Sequence, residues 1–404
     1  MSASSVWQPL RQPEFRGLWG GSLAVHLANW MQQVAAASMM ATLTQAPMMT
    51  ALVQTAASLP AVLLSLPAGA MADRIDRRRW LMFTQSLILL GALATVTVTA
   101  VNLLTPWGLF GLTLLLGTGF ALHAPAAQAV IGDVVTRADL PMALALGGVS
   151  YNISRVLGPA IAGSLIATDG GAAVYVAVAL CCLAMLAFLK GWGGVPRRNA
   201  ALPQSLWGAI LQGLRHAQET PAFRGQLIHV LIFIVCGSAT WALLPVLVRD
   251  TYPLVHGGYG LLLGAFGVGG VLGVFLLHPI RSRWPANRVV ALSALAFAPV
   301  PALLAWPIPL EAALLVVIWG GAAWLCGAST LYAALQTTLP AWVRSRGIAI
   351  YNLVYFGAMA GGSAGWGALT VPLGTRSVLL IASATALMTA AWHARVPLDD
   401  GTGR

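Results

Sequence analysis

The chain has 404 residues, 58% of them hydrophobic and only 8% charged, with 22 Lys and Arg against 11 Asp and Glu for a formal net charge of +11. A soluble domain carries about 25% charged residues, so this chain cannot clothe a water-facing surface of its size. A mean hydropathy of +0.80 points the same way: the solvent for most of the chain is lipid.

A spanning helix needs about 20 mostly apolar residues. The first apolar run, 17–44, is too long for a signal-peptide core and reads as the first span. It carries His26, Asn29, Gln32 and Gln33; spacings of three and four put His26, Asn29 and Gln33 on one face, a polar stripe suited to a cavity wall. Further spans are predicted at 47–72, 80–102, 106–131, 142–167 and 171–190. The fourth holds His123, and the fifth holds Arg155 near its middle with Asn152 three residues earlier on the same face. The stretch 191–225, with Pro196, Arg197, Arg198 and Pro203, is the longest polar connection and reads as a cytoplasmic linker, its 205–218 portion as an amphipathic surface helix. Six more spans follow at 226–249, 257–280, 288–306, 310–338, 346–370 and 375–395. The expected fold is therefore an all-α membrane protein of twelve transmembrane helices in two six-helix halves, 1–190 and 226–404.

All Lys and Arg except Arg155, Arg249 and Arg376 fall at the termini or in alternate loops. Basic residues are retained on the cytoplasmic side, which places both termini there and makes the span count even. The expected location is the cell inner (cytoplasmic) membrane, and the basic charge calls for no nucleic acid. An internal repeat fits two halves. Pro13-Glu14-Phe15-Arg16-Gly17 precedes helix 1 as Pro221-Ala222-Phe223-Arg224-Gly225 precedes helix 7, and Tyr151-Asn152 answers Tyr351-Asn352, at offsets of 208 and 200 in 404 residues. Parallel repeats of this kind build transporters that bind substrate near the bilayer midplane between the halves.

Polar residues at that depth are costly unless they serve a purpose. Arg155 must face water, a partner or an anionic substrate. Helices 7 and 10 offer His229, Trp241, Trp324, Tyr332 and Gln336, and helix 11 offers Tyr351, Asn352 and Tyr355. Aromatic rings with scattered amides suit a large, partly apolar substrate; interhelical hydrogen bonding and interfacial anchoring are the alternative roles for the same side chains. Nearly all of the 11 acidic residues fall at helix ends, in loops or in tails. That favours an anionic or neutral substrate over a lipophilic cation. It leaves His26, His123, Asp73 or Asp133 to carry a coupling proton. The four cysteines lie in apolar runs without metal-ligand spacing. No Walker loop, nucleophile elbow or HExxH is present, so no enzyme activity, metal or cofactor is expected, and a proton gradient is the expected energy source in place of ATP.

Gly69-Ala70-Met71-Ala72-Asp73-Arg74-Ile75-Asp76-Arg77-Arg78-Arg79, between helices 2 and 3, resembles the signature loop of the major facilitator superfamily. In that likeness Gly69 allows close helix approach, Asp73 caps or pairs, and Arg74, Arg77 and Arg78 hold the loop at the cytoplasmic face. The corresponding loop of the second half, His278-Pro279-Ile280-Arg281-Ser282-Arg283, keeps charge and loses the Asp. Gly158-Pro159, in Arg155-Val156-Leu157-Gly158-Pro159-Ala160-Ile161-Ala162-Gly163, is similar to the Gly-Pro motif of superfamily exporters, where it is associated with antiport; one expected glycine is Ala162. Asn29-Trp30-Met31-Gln32, Pro125-Ala126-Ala127-Gln128-Ala129 and Val343-Arg344-Ser345-Arg346-Gly347 resemble the transmembrane secretion effector branch, which contains enterobactin-exporter-like proteins. The resemblance implies a monomeric secondary transporter working by alternating access in the lipid bilayer, a proton-coupled exporter of a small molecule such as a siderophore. A broad-range multidrug efflux transporter and a non-transporting sensor are the alternatives.

Overall fold

The computed structural model describes residues 8–136, 139–194, 220–252, 258–339 and 344–398. A short 3-10 turn, Gln8–Arg11, leads into α1 (Pro13–Leu43), α2 (Pro47–Arg74), α3 (Arg77–Ala100), α4 (Pro106–Val134), α5 (Leu140–Asp169), α6 (Gly171–Gly191), α7 (Pro221–Thr251) and α8 (Gly258–Arg283). Helix α9 has two segments, Ala286–Phe297 and Pro299–Leu304, stepped at the Ala298-Pro299 junction because a proline offers no N–H to the turn before it. After α10 (Leu310–Thr338), the run Arg344–Arg395 is broken at Gly374, whose φ of 76° and ψ of 155° are not helical. Its arms, 344–373 and 375–395, are α11 and α12. The φ of 76° lies in the left-handed region that favours glycine; Gly170, at φ 81°, turns α5 into α6 in the same way.

Eight stretches are long and apolar enough to cross a membrane. One of them, Ile350–Arg395, has 46 residues, more than twice the roughly 20 a bilayer needs, so with the break at Gly374 it makes two crossings. The other three long helices, α1, α5 and α8, have 31, 30 and 26 residues. They complete twelve spans among the described residues. Helices α1 and α5 are interrupted by polar side chains, among them His26, Gln32 and Arg155, and α8 is glycine-rich.

Helix ends differ from the hydropathy reading by up to about a turn. The repeated pentapeptides do not precede helices 1 and 7; they form their first turns, with Pro13 and Pro221 at the N-terminal position. Proline suits that position because its missing N–H would have no intrahelical partner there. The proposed surface helix at 205–218 lies outside the described residues.

The packing repeats as the sequence does. Helix α1 packs on α5 and α6, α2 on α4, and α3 on α4 and α6; α7 packs on α11 and α12, α8 on α10, and α9 on α10 and α12. The halves meet where α2 packs on α11 and α5 on α8, two contacts that exchange under the same repeat. These junctions cluster toward one end. Thr55 Oγ1 donates to the Ala360 carbonyl at 3.0 Å, Gly367 abuts Ala51, and Gly260 abuts Gly163. Arg249 Nη1, at the end of α7, donates to the carbonyls of Ala41 (3.1 Å) and Thr44 (2.8 Å) at the end of α1. Toward the opposite end, which carries the α2–α3 arginines, α5 presents Leu144, Gly148 and Tyr151 as an exposed stripe at spacings of four and three. A groove between the halves opens at this basic end.

Candidate functional site

Helix α5 sets the site. Its small-residue face presses backbone to backbone against glycines of α8. A Cβ on Gly260 would stand 2.5 Å from Gly163 Cα, and one on Gly267 3.2 Å from the Arg155 carbonyl. On another face, Gly158 lies against α1, where a Cβ would stand 2.6 Å from Trp30 Cβ. Pro159 is buried and turns its carbonyl to Gly260. The Gly-Pro segment thus seats α5 between α1 and α8. This holds Arg155 at the seam of the two halves, its guanidinium against the bare backbone of Gly270, where a Cβ would stand 2.9 Å from Nη2. Arg155 Nη2 is buried and has no hydrogen-bond partner among the described residues. A buried charged donor left unpaired is costly, so this nitrogen is aimed for an acceptor.

Aromatic rings continue the site across the seam. Tyr151 packs edge-on against His26 (centroids 5.5 Å apart) and Trp30 (6.0 Å) of α1. Tyr151 and Tyr355 both lie within electrostatic reach of Arg155. Tyr355 stacks on Tyr351 at 6.1 Å, and Tyr351 meets Tyr332 of α10 at 5.3 Å. Three of the chain's seven tyrosines, Tyr332, Tyr351 and Tyr355, therefore form a row of ring contacts on α10 and α11, and Tyr151 and Arg155 of α5 lie near its Tyr355 end. Trp30 Nε1 is a second buried donor without a partner among the described residues.

Behind this row, His26 Nδ1 lies 3.1 Å from Ser150 Oγ. His123, buried between α3 and α4, has Nδ1 3.0 Å from Gln85 Nε2 and 3.4 Å from Thr84 Oγ1. Asn29, Gln33 and Asn352 are half-buried. Trp241 is half-buried against Phe266 at 4.8 Å, its Nε1 unpartnered among the described residues. Trp324 is only 4% exposed, wedged among Phe233 and Phe297 inside the second half. Gly237 admits it there, since a Cβ would come within 2.0 Å of its ring. It belongs to packing and not to the groove wall. The side chains of Asn152, Asp73, Arg74 and Gln336, and the surroundings of Gly69, lie outside the described residues.

At the basic end, Arg77 pairs with Asp133 at the foot of α4 and donates to the Ala129 carbonyl at 3.2 Å. Arg78 donates to the carbonyls of Leu189 (2.6 Å) and Lys190 (2.8 Å), closing the C-terminus of α6. Asp76, which the sequence reading passed over, caps α3 by accepting from Arg79 N at 2.8 Å. Asp133, Asp139, Asp169, Asp250 and Glu311 all sit at helix ends, so among the described residues no carboxylate stands mid-membrane.

Sequence reasoning left Trp30 and Tyr151 out of the site. The signal was the repeat itself: Tyr151 and Tyr351 occupy matching positions in the two halves, and both reach the row. A concave pocket of about 330 Å³ between Pro299, Val300, Leu303, Leu315, Val316 and Trp319 is apolar and lies on the outer faces of α9 and α10, without any of the residues described above.

A family model described as transmembrane secretion effector matches residues 4–403. The staphyloferrin A transporter of Staphylococcus aureus is 26% identical over 266 residues, 65% of this chain and 66% of that protein, so the match spans about two thirds of its length. The multidrug efflux pump Tap of Mycolicibacterium fortuitum is 26% identical over 332 residues, 76% of this chain and 77% of that protein. Among solved structures, a bacterial homologue of the human lysosomal transporter Spinster, in an inward-facing and occupied conformation, superposes with a TM-score of 0.77 at 14% identity, covering 97% of this chain and 98% of that one.

Proposed function

We propose that this chain, which belongs to the transmembrane secretion effector family of major facilitator transporters, exports a small anionic or neutral metabolite, a siderophore foremost, at the expense of the proton gradient. One observation carries the reading: Arg155 stands at the seam of the halves with Nη2 buried and unpartnered among the described residues, and no described carboxylate stands mid-membrane to neutralise it. A buried cation of this kind is stabilised by an anionic guest and repels a cationic one. With the basic loops in the cytoplasm, both termini are inside and the groove faces the cytoplasm, the state in which an exporter loads. The halves are 1–190 and 226–404, joined by 191–225. Alternating access then exchanges the α5–α8 and α2–α11 closure at one end for closure at the other. The coupling proton falls to His26, beside Tyr151, or to His123 on α4. The chain works as a monomer without a cofactor.

The aromatic row favours a second reading, broad-range efflux, because rings accept varied apolar guests; the likeness to Tap supports it too. Mass spectrometry of culture supernatants under iron limitation separates the two. Comparing wild type with a deletion strain, siderophore export predicts loss of one iron-binding metabolite outside and its accumulation inside. An unchanged metabolite profile together with raised drug susceptibility would replace the first reading with the second.

A further inference from the structure

Away from the groove, the second half holds a pair of histidines that the transport site does not use. His229 on α7 and His393 at the end of α12 are both fully buried. Their Nδ1 atoms stand 2.7 Å apart, with ring centroids at 4.8 Å. The cage is aromatic: Trp392 lies 4.6 Å from the His229 ring, and Phe233 lies 6.3 Å from that of His393. Both Nε2 atoms lack a hydrogen-bond partner among the described residues.

Hydrogen counting fixes what this pair can do. Two Nδ1 atoms at 2.7 Å need one hydrogen between them, so one ring donates and the other accepts. The ring that accepts carries its hydrogen on Nε2, and the ring that donates leaves its own Nε2 bare. One added proton binds there, leaves the contact intact, and gives the pair a single positive charge that the Trp392 ring face attracts. A second proton would have to land on the accepting Nδ1, setting two N–H groups head to head and breaking the contact between α7 and α12.

The charged groups on the surrounding helices do not compete for this role. Arg224 on α7, Arg288 on α9 and Arg395 on α12 are exposed. The carboxylates Asp250 of α7 and Glu311 of α10 sit at the far ends of their helices. Also on α7, Arg249 pairs with Asp250 at the far end, and Cys236 is tied to Thr385 and Thr389. The side chains of Arg344 and Arg346 on α11 lie outside the described residues.

We propose that His229 and His393 form a one-proton binding site linking α7 to α12, loaded and emptied as the transporter cycles. Its role in the cycle rests on the proton-coupled reading above; its proton chemistry does not. Two measurements separate these. Solid-state NMR of the wild-type chain in lipid nanodiscs, with 15N-histidine and titration from about pH 8 to 4, should show two of the seven histidines moving together in a single protonation step. That step should vanish in both His229→Gln and His393→Gln. Metabolite export by either variant should fall at least tenfold and lose its pH dependence, while Trp392→Phe, which spares both rings, should keep the step. Two independent titrations, or none, in the wild-type chain would overturn the site even if a variant fails to fold. A shared step with unaltered pH-dependent export in the Gln variants would overturn its part in the cycle. Export indifferent to a protonophore would instead sink the proton-coupled reading and, with it, the cycle role, while a persisting shared step would still support the site.

Discussion

Replacing Gly260 with alanine tests how the two halves close on each other. A Cβ there would stand 2.5 Å from Gly163 Cα and 2.7 Å from both Gly163 N and the Pro159 carbonyl oxygen. All three are backbone atoms, so no side chain can swing away. Ordinary contact begins near 3.4 Å, so α5 and α8 must part by roughly 0.9 Å. Overpacking of this kind costs about 1–3 kcal/mol. The cost falls only on the state in which these ends touch, because the other state separates them. A penalty confined to one of two states shifts their ratio by about 5–150-fold. Spin labels at exposed Gln45 and Glu311, on opposite halves at the closed end, report the shift by electron–electron distance measurement. Gly260→Ala should move the distribution toward longer distances. Gly361→Ala, where a Cβ meets nothing within 4 Å, should leave it in place. An unaltered distribution in Gly260→Ala would refute the claim that α5 and α8 form a rigid closure.

The remaining predictions concern named contacts. Arg249→Ala removes two charge-assisted hydrogen bonds to the Ala41 and Thr44 carbonyls, worth about 1.5–3 kcal/mol each when shielded and less at this half-buried site, and should widen the same Gln45–Glu311 distance. Gly270→Val places methyl groups against the Arg155 guanidinium; export should fall at least tenfold with unchanged protein level in the membrane, measured on supernatants and by immunoblot. Trp324→Ala empties a packed aromatic cluster and should destabilise the second half by about 3–5 kcal/mol, read as a lowered unfolding midpoint in detergent. Asp133→Asn breaks an ion pair whose side chains are about a third exposed; such pairs contribute roughly 0–1 kcal/mol, so the same midpoint should hardly move.

Much of this architecture is legible from hydropathy because lipid leaves the backbone little choice but helix. The break at Gly374 and the turn at Gly170 are equally readable, since each glycine closes an apolar run long enough to span. Helix starts are not: the first turns at Pro13 and Pro221 mix charged and apolar residues, so apolar periodicity does not mark them. Arg155 was readable as the lone cation at mid-span, but its setting against Gly270 was not, because that depends on which face α5 turns to α8. The same limit hid Tyr151 and Trp30. Arg249 looked merely misplaced by charge rules, and its carbonyl acceptors lie more than 200 residues away in sequence. His229 stood in the sequence as a candidate polar group of helix 7; nothing in its neighbourhood announces His393, 164 residues on.

Arg155 bears on the central claim most directly. A deletion strain would be complemented with the wild-type chain or with Arg155→Ala, grown under iron limitation, and its supernatant and cell extract profiled by mass spectrometry, with membrane levels of the protein matched. The account predicts that the wild-type chain restores one anionic metabolite to the medium, and that Arg155→Ala leaves it inside the cell at normal protein level. Full restoration by Arg155→Ala would contradict the assignment of the substrate site to the seam between the halves.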